Sequence, residues 1–240
     1  MHDGKMKFRS VSRTHAGSVR PHNEDALIER GDIGIWAVSD GMGGHAAGDV
    51  ASALVVGAIR ELAQARPTPS DVREALKRVN DELLRRAGSS PERTMGATVT
   101  VLGADGEHFF CLWAGDSRLY RLRGTVLAQL TRDHRYIQHL LDSGVLTEAE
   151  ARQHPRRSVI TRAVGVDREL KLDANEGAID QGDIFVLVTD GVTGVCTDAE
   201  IAKAIAGKNL EEAADDIVRR CLERGAPDNL SLLLVERLKN

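Results

Sequence analysis

The spacing of apolar residues along this chain changes several times, and each change predicts an element. Lys7 to Arg13 alternates, with Phe8 and Val11 among polar neighbours, and predicts a first strand. Ala26-Leu27-Ile28 predicts a short second strand. Gly31-Asp32 then turns the chain into Ile33-Gly34-Ile35-Trp36-Ala37-Val38, a buried strand that ends at Asp40. Val50 to Leu62 is apolar nearly all round at first, which predicts a buried helix. A Pro67-Thr68-Pro69 linker leads to a cap at Ser70 or Asp71. Val72, Leu76, Val79 and Leu83 then follow at helical spacing.

From Met95 the period shortens. Met95 to Leu102 alternates, and His108 to Ala114 is a continuous apolar run ending in Gly115-Asp116-Ser117-Arg118. Leu119–Leu122 and Thr125–Leu130 flank Arg123-Gly124 as in a hairpin, so 95–130 reads as antiparallel strands. Residues 131–165 read as a helical insert, a flap beside whatever site the strands build. Tyr136, Ile137, Leu140 and Leu141 give it a short amphipathic helix, and Thr147-Glu148-Ala149-Glu150 has the form of a capping box. Glu169 to Ile179 and Ile184 to Val188 return to strand character, the latter running into Thr189-Asp190-Gly191. Thr197 and Glu200 cap another helix, and Leu210, Ala213, Ala214, Ile217, Val218, Cys221 and Leu222 mark the next. Asp228-Asn229 opens a last strand, Leu230 to Val235. Blocks of strands thus alternate with pairs of helices. Two antiparallel sheets packed face to face, with helices on their outer faces, would bury these runs in an α+β fold.

The bulk numbers narrow the function. The 240 residues suffice for a large core, and 28% charged against 42% apolar residues fits a folded globular protein. A net charge of -4 gives no electrostatic reason to expect nucleic acid or an anionic membrane as partner. No apolar run approaches the length of a membrane span, and the polar start lacks a signal core, so a cytoplasmic protein is expected. Cys111, Cys196 and Cys221 are odd in number and widely spaced, which predicts reduced thiols.

Chemistry enters with the acids. Glu24-Asp25, Asp40, Asp116, Asp190 and Asp228 each lie where a strand starts or stops, the last four beside Gly, Asn or Pro. Any one of them alone is an ordinary turn or a solvated pair. Brought together they would repel, and would either take up protons or bind cations. An all-oxygen set favours Mg²⁺ or Mn²⁺ over zinc or copper. A bridging carboxylate with flanking acids and the Gly41 carbonyl suits two octahedral ions about 4 Å apart. Arg20, four residues before Glu24, could make forked hydrogen bonds to phosphate oxygens. Metals with an arginine point to hydrolysis of a phosphoester.

These motifs carry a resemblance. Arg20-x-x-Asn23-Glu24-Asp25, Asp40-Gly41-Met42-Gly43-Gly44-His45, Gly115-Asp116-Ser117-Arg118, Thr189-Asp190-Gly191 and Asp228-Asn229 resemble, in order and spacing, the metal-dependent protein phosphatases of type 2C, most of all the compact bacterial members. Thr131-Arg132-Asp133-His134 and His154-Pro155-x-Arg157 resemble their flap. The likeness spans about Phe8 to Val235, and implies a four-layer α/β/β/α sandwich in a single domain, 1–240. It implies that Asp40 bridges two Mg²⁺ or Mn²⁺ ions, that Asp190 and Asp228 hold the first, and that Glu24 and the Gly41 carbonyl hold the second. Asp25 would orient water, Asp116 with Asp190 would hold a third ion, and Arg20 would bind substrate phosphate. The implied reaction is attack by a metal-bridging hydroxide on phosphoserine or phosphothreonine in proteins, without a phosphoenzyme. Its implied partners are phosphoproteins and a cognate serine/threonine kinase, with the enzyme a monomer. Met42 stands, as in many bacterial members, where eukaryotic members often carry a histidine proposed as general acid, and a thioether cannot donate a proton. A metal-bound water is therefore the expected donor, with His22 a weaker candidate. Arg135 and Ser158 replace the commoner Ser and Asn of the flap. A phosphoprotein- or kinase-binding scaffold that lacks catalysis is the alternative from another class, and a hydrolase of small phosphoesters a close variant.

Overall fold

The computed structural model describes residues 8–43, 47–62, 66–88 and 95–239. The chain forms β1 (Phe8–His15), β2 (Asp25–Arg30), β3 (Ile35–Met42), α1 (Ala47–Arg60), α2 (Pro69–Ala87), β4 (Gly96–Ala97), β5 (Val99–Ala104), β6 (His108–Ala114), β7 (Arg118–Arg123) and β8 (Val126–Gln129). It continues with α3 (Tyr136–Asp142), α4 (Glu148–Gln153), β9 (Asp173–Ala178), β10 (Ile184–Val188), α5 (Asp190–Thr193), α6 (Asp198–Ile205), α7 (Leu210–Glu223) and β11 (Leu230–Arg237).

The strands make two antiparallel sheets. One has the order β1-β11-β10-β7-β8, the other β2-β3-β5-β6-β9, with β4 paired to β3 beyond Asp40. The continuous apolar runs are explained by burial on both faces. Trp36 and Val38 point between the sheets, while Ile35 and Ala37 point to α1 and α2. Phe185 and Leu187 likewise enter the middle layer with Leu233 and Val235, while Val186, Val188, Leu232 and Leu234 face α6 and α7. The strand period of two thus divides each run between two apolar layers. Helices close the outer faces through Val55, Ile59, Leu76 and Leu83 on one side, and Ile201, Ala213, Ile217 and Cys221 on the other.

Several boundaries differ from the sequence reading. The second helix is capped by Thr68, whose hydroxyl accepts from Asp71 N while Asp71 returns the bond to Thr68 N, so the cap precedes Ser70. The third strand runs through Asp40 to Met42, because Gly96–Ala97 supplies a partner for Gly41 and Met42. The strand expected from Glu169 begins only at Asp173, opposite Trp113. The capping boxes at Thr147 and Thr197 are present. All three cysteines are free and buried, with the Cys196 and Cys221 thiols 3.7 Å apart. Among the described residues no helix is long and apolar enough to cross a membrane.

Register decides where the acids go. His15 pairs with Leu230, Val188 with Leu232 and with Arg118, so one end of the first sheet gathers the end of β1, the end of β10 and the starts of β7 and β11. In the second sheet Asp25 pairs with Asp40, and Val99 with Ala114. The chain crosses between sheets from His15 to Asp25 and again from Ala114 to Arg118. Both crossings therefore lie at this same end.

Candidate metal centre

Hydrogen bonds tie these strand ends together. Thr189 Oγ1 donates to Asp25 Oδ2 at 2.8 Å, joining β10 of one sheet to β2 of the other. Asn229 is the main knot: its Oδ1 accepts from Glu24 N at 2.8 Å, and its Nδ2 donates to the Ala16 and His22 carbonyls, each at 2.8 Å. Asp40 N donates to Thr98 Oγ1 at 3.0 Å, and that hydroxyl shares a 2.7 Å hydrogen bond with Ser117 Oγ beside Asp116. The break between β4 and β5 at Thr98 thus anchors Asp40.

The glycines beside the acids permit close approach. A Cβ on Gly41 would stand 2.0 Å from the Gly48 carbonyl oxygen, and one on Gly48 would stand 2.7 Å from Glu24 Oε2. The first turn of α1 therefore presses against both Glu24 and the end of β3, with no room for a side chain at either contact.

The site is strongly anionic. Burial, then the charges of Asp25, Asp190, Asp116 and Asp228, pushes the Asp40 carboxyl well above the ordinary range. Burial pushes Asp25 up to about 6 against the hydrogen bonds from Thr189 and Ser231. Burial and then Asp116 push Asp190 up to about 7, although Arg135 pulls the other way. Glu24 is raised by burial and by Asp49. Two arginines answer these charges. Arg20, exposed, donates to Asp228 Oδ2 at 2.8 Å. Arg135 donates from Nε to Asp116 Oδ2 at 2.6 Å and reaches Asp190 Oδ2 at 3.4 Å.

As the side chains stand, no set of three or more His, Cys, Asp or Glu groups among the described residues converges as an ion cage. The donor set still fits hard cations. It is all oxygen, Asp40 and Asp190 are raised by burial and then by neighbouring acids, and Asp25 Oδ1 is buried with no hydrogen-bond partner. Divalent ions held by Glu24, Asp40, the Gly41 carbonyl, Asp190 and Asp228 would offset this crowding of buried acids. The Asp116–Asp190 pair is different, because a guanidinium already meets its charge.

Other residues fall beside this centre. Met42 is half-buried at the end of β3. His22 is exposed, and close enough to Glu24 to favour its charged form. Arg118 pairs with Asp133 of the 131–165 segment through two bonds, at 2.8 and 2.7 Å, and not with Asp116. His134 stacks on Trp113, accepts from Gly115 N and contacts Asp173, a structural role. Arg156 lies over the Tyr136 ring. Gly44 and His45 lie outside the described residues. Sequence reasoning gave no role to Asn229 or Arg135. The Asp228-Asn229 pair was a visible signal for the first, and the replaced flap serine for the second.

Comparison with known proteins identifies the family. The family model described as Protein phosphatase 2C matches residues 13–239. The serine/threonine phosphatase stp of Listeria monocytogenes is 34% identical over 237 residues, 94% of each chain. The solved structure of PppA, titled a key regulatory component of T6SS in Pseudomonas aeruginosa, superposes with a TM-score of 0.88 at 41% identity, covering 95% of this chain and 97% of that one. The catalytic domain of the serine/threonine protein phosphatase PstP, solved in complex with 2 manganese ions, gives 0.87 at 30% identity over 97% and 99%.

Proposed function

The chain belongs to the protein phosphatase 2C family and is a Mg²⁺- or Mn²⁺-dependent protein serine/threonine phosphatase, and from that premise we propose which residues do the work. Its substrates are phosphoproteins. The catalytic reading, and not the silent scaffold, is the supported one.

Glu24, Asp40, the Gly41 carbonyl, Asp190 and Asp228 would hold two divalent ions. Bound there, the ions supply Lewis-acid activation of water and neutralise charge on the phosphoryl group. Arg20 binds the substrate phosphate: its guanidinium is exposed beside Asp228 and free to fork onto phosphate oxygens. Asp25 orients the attacking water. Thr189 pins its Oδ2, and Oδ1 faces no other partner. Met42 cannot protonate the departing serine or threonine alkoxide, so that proton comes from water in the site. The observation that carries this reading is the meeting of acids from both sheets: Asp25 pairs with Asp40 in one, and Thr189, next to Asp190 at the end of β10 in the other, donates to Asp25 Oδ2 at 2.8 Å.

We read the whole chain as one phosphatase domain, with 131–165 as its flap. On this reading it works as a monomer in the cytoplasm. Its reaction requires a serine/threonine kinase that supplies its substrates.

The test is turnover of p-nitrophenyl phosphate and of a phosphothreonine peptide, with Mn²⁺ and with EDTA. Metal-dependent release of phosphate from both is expected. Asp190→Asn should lower kcat by about 10²-fold or more while keeping the circular-dichroism spectrum. Full activity in that variant would overturn the site assignment.

A further inference from the structure

The Asp116–Asp190 pair, where the family resemblance implies a third ion, is already occupied by protein. Arg135 Nε lies 2.6 Å from Asp116 Oδ2, and its Nη2 lies 3.4 Å from Asp190 Oδ2. Asp133 Oδ2 is a further 3.9 Å contact, but Arg118 holds that carboxylate with two bonds of its own. Asp116 is almost wholly buried and the Arg135 side chain is only 18% exposed. One oxygen of Asp116, Oδ1, makes no hydrogen bond, so Arg135 satisfies the charge of this carboxylate and not each of its atoms.

The guanidinium is delivered by a fixed backbone. Arg135 bridges to Ile160, His134 N donates to the Gly115 carbonyl at 2.9 Å, Thr161 N donates to the His134 carbonyl at 2.7 Å, and Tyr136 N donates to the Val159 carbonyl at 2.9 Å. An ion entering between Asp116 and Asp190 would have to expel this cation or sit against it. Expulsion breaks its contacts with Asp116 and Asp190, and close contact places two positive charges side by side. A serine at this position would bring no charge to be expelled or to repel an ion.

We propose that Arg135 is a built-in cation at the Asp116–Asp190 pair, standing in for a third divalent ion, so that this phosphatase takes up two ions and fixes the start of its flap to the site without metal. The proposal rests on the two-ion reading of the site above. It assigns Arg135 a positioning role, since it touches the acids and not the substrate.

The test is Mn²⁺ stoichiometry of the full chain at saturation, by native mass spectrometry and titration calorimetry. The wild type should bind two ions and Arg135→Ser three. Adding Asp116→Asn to Arg135→Ser should return the count to two. Asp116→Asn alone, which keeps the shape of the side chain, should leave the wild-type count at two, and it decides the matter if Arg135→Ser fails to fold. Three ions in the wild type, loss of an ion on Asp116→Asn alone, or no gain in a folded Arg135→Ser would each overturn the proposal. A wild type that binds no ion would overturn the two-ion reading as well, which separates the two failures.

Discussion

At the scale of a single side chain, Met42 limits which group can act as general acid. It ends β3 two residues after Asp40, and its thioether cannot give a proton to a leaving alkoxide. Met42→His should therefore flatten the dependence of log kcat on leaving-group pKa across a series of aryl phosphates. An unchanged slope would show that this position never sees the leaving group. The acids themselves were legible in the sequence, because each stands at a strand end beside a residue that permits close approach. Asn229 and Arg135 were not. Asn229 earns its role from Glu24, 205 residues away, and nothing local says which distant amide it will hold. Arg135 reads locally as one more flap arginine, until Asp116 and Asp190 arrive from other strands to meet it.

The same contrast holds among the elements. Helices with clean apolar stripes and strands buried on both faces were readable from periodicity, and the capping boxes at Thr147 and Thr197 from composition. Ends that depend on a partner were not. The last residues of β3 are strand only because β4 pairs with them across the break at Thr98, and β9 begins where Trp113 offers a partner. At α2 two capping candidates in the sequence competed with a third, and the reciprocal bonds between Thr68 and Asp71 decided it. Thr68→Ala should lower stability by about 1 kcal/mol in denaturant titration. Ser70→Ala should cost less. Equal losses would return the cap to Ser70.

For the whole molecule, the main consequence is a tension between folding and function. Asp25, Asp40 and Asp190 are all raised in the folded state, by burial first and then by neighbouring acids. A group raised above its unfolded value holds its proton more tightly in the native state. Its contribution to stability is complete below the ordinary carboxylate range and is lost as pH rises through the folded pKa. In EDTA the melting temperature should therefore fall as pH rises from about 4 to the region of 7 where Asp190 titrates, by at least ~3 °C, the shift that about 1 kcal/mol produces in a chain of this size. Mn²⁺ should remove most of this fall, since it binds the deprotonated carboxylates. A flat profile in EDTA, followed by differential scanning fluorimetry, would mean that the acids do not crowd one another. The four-layer arrangement was legible from the alternation of strand blocks with helix pairs. The meeting at one end of the His15–Asp25 and Ala114–Arg118 crossings came only from register, which periodicity does not encode.

The central claim is that acids from both sheets hold divalent ions at that shared end. Anomalous diffraction from crystals grown with Mn²⁺ tests it most directly. The account predicts two peaks ligated by Glu24, Asp40, the Gly41 carbonyl, Asp190 and Asp228, with none between Asp116 and Arg135. Peaks absent from these residues, or scattered over separate surfaces, would contradict it.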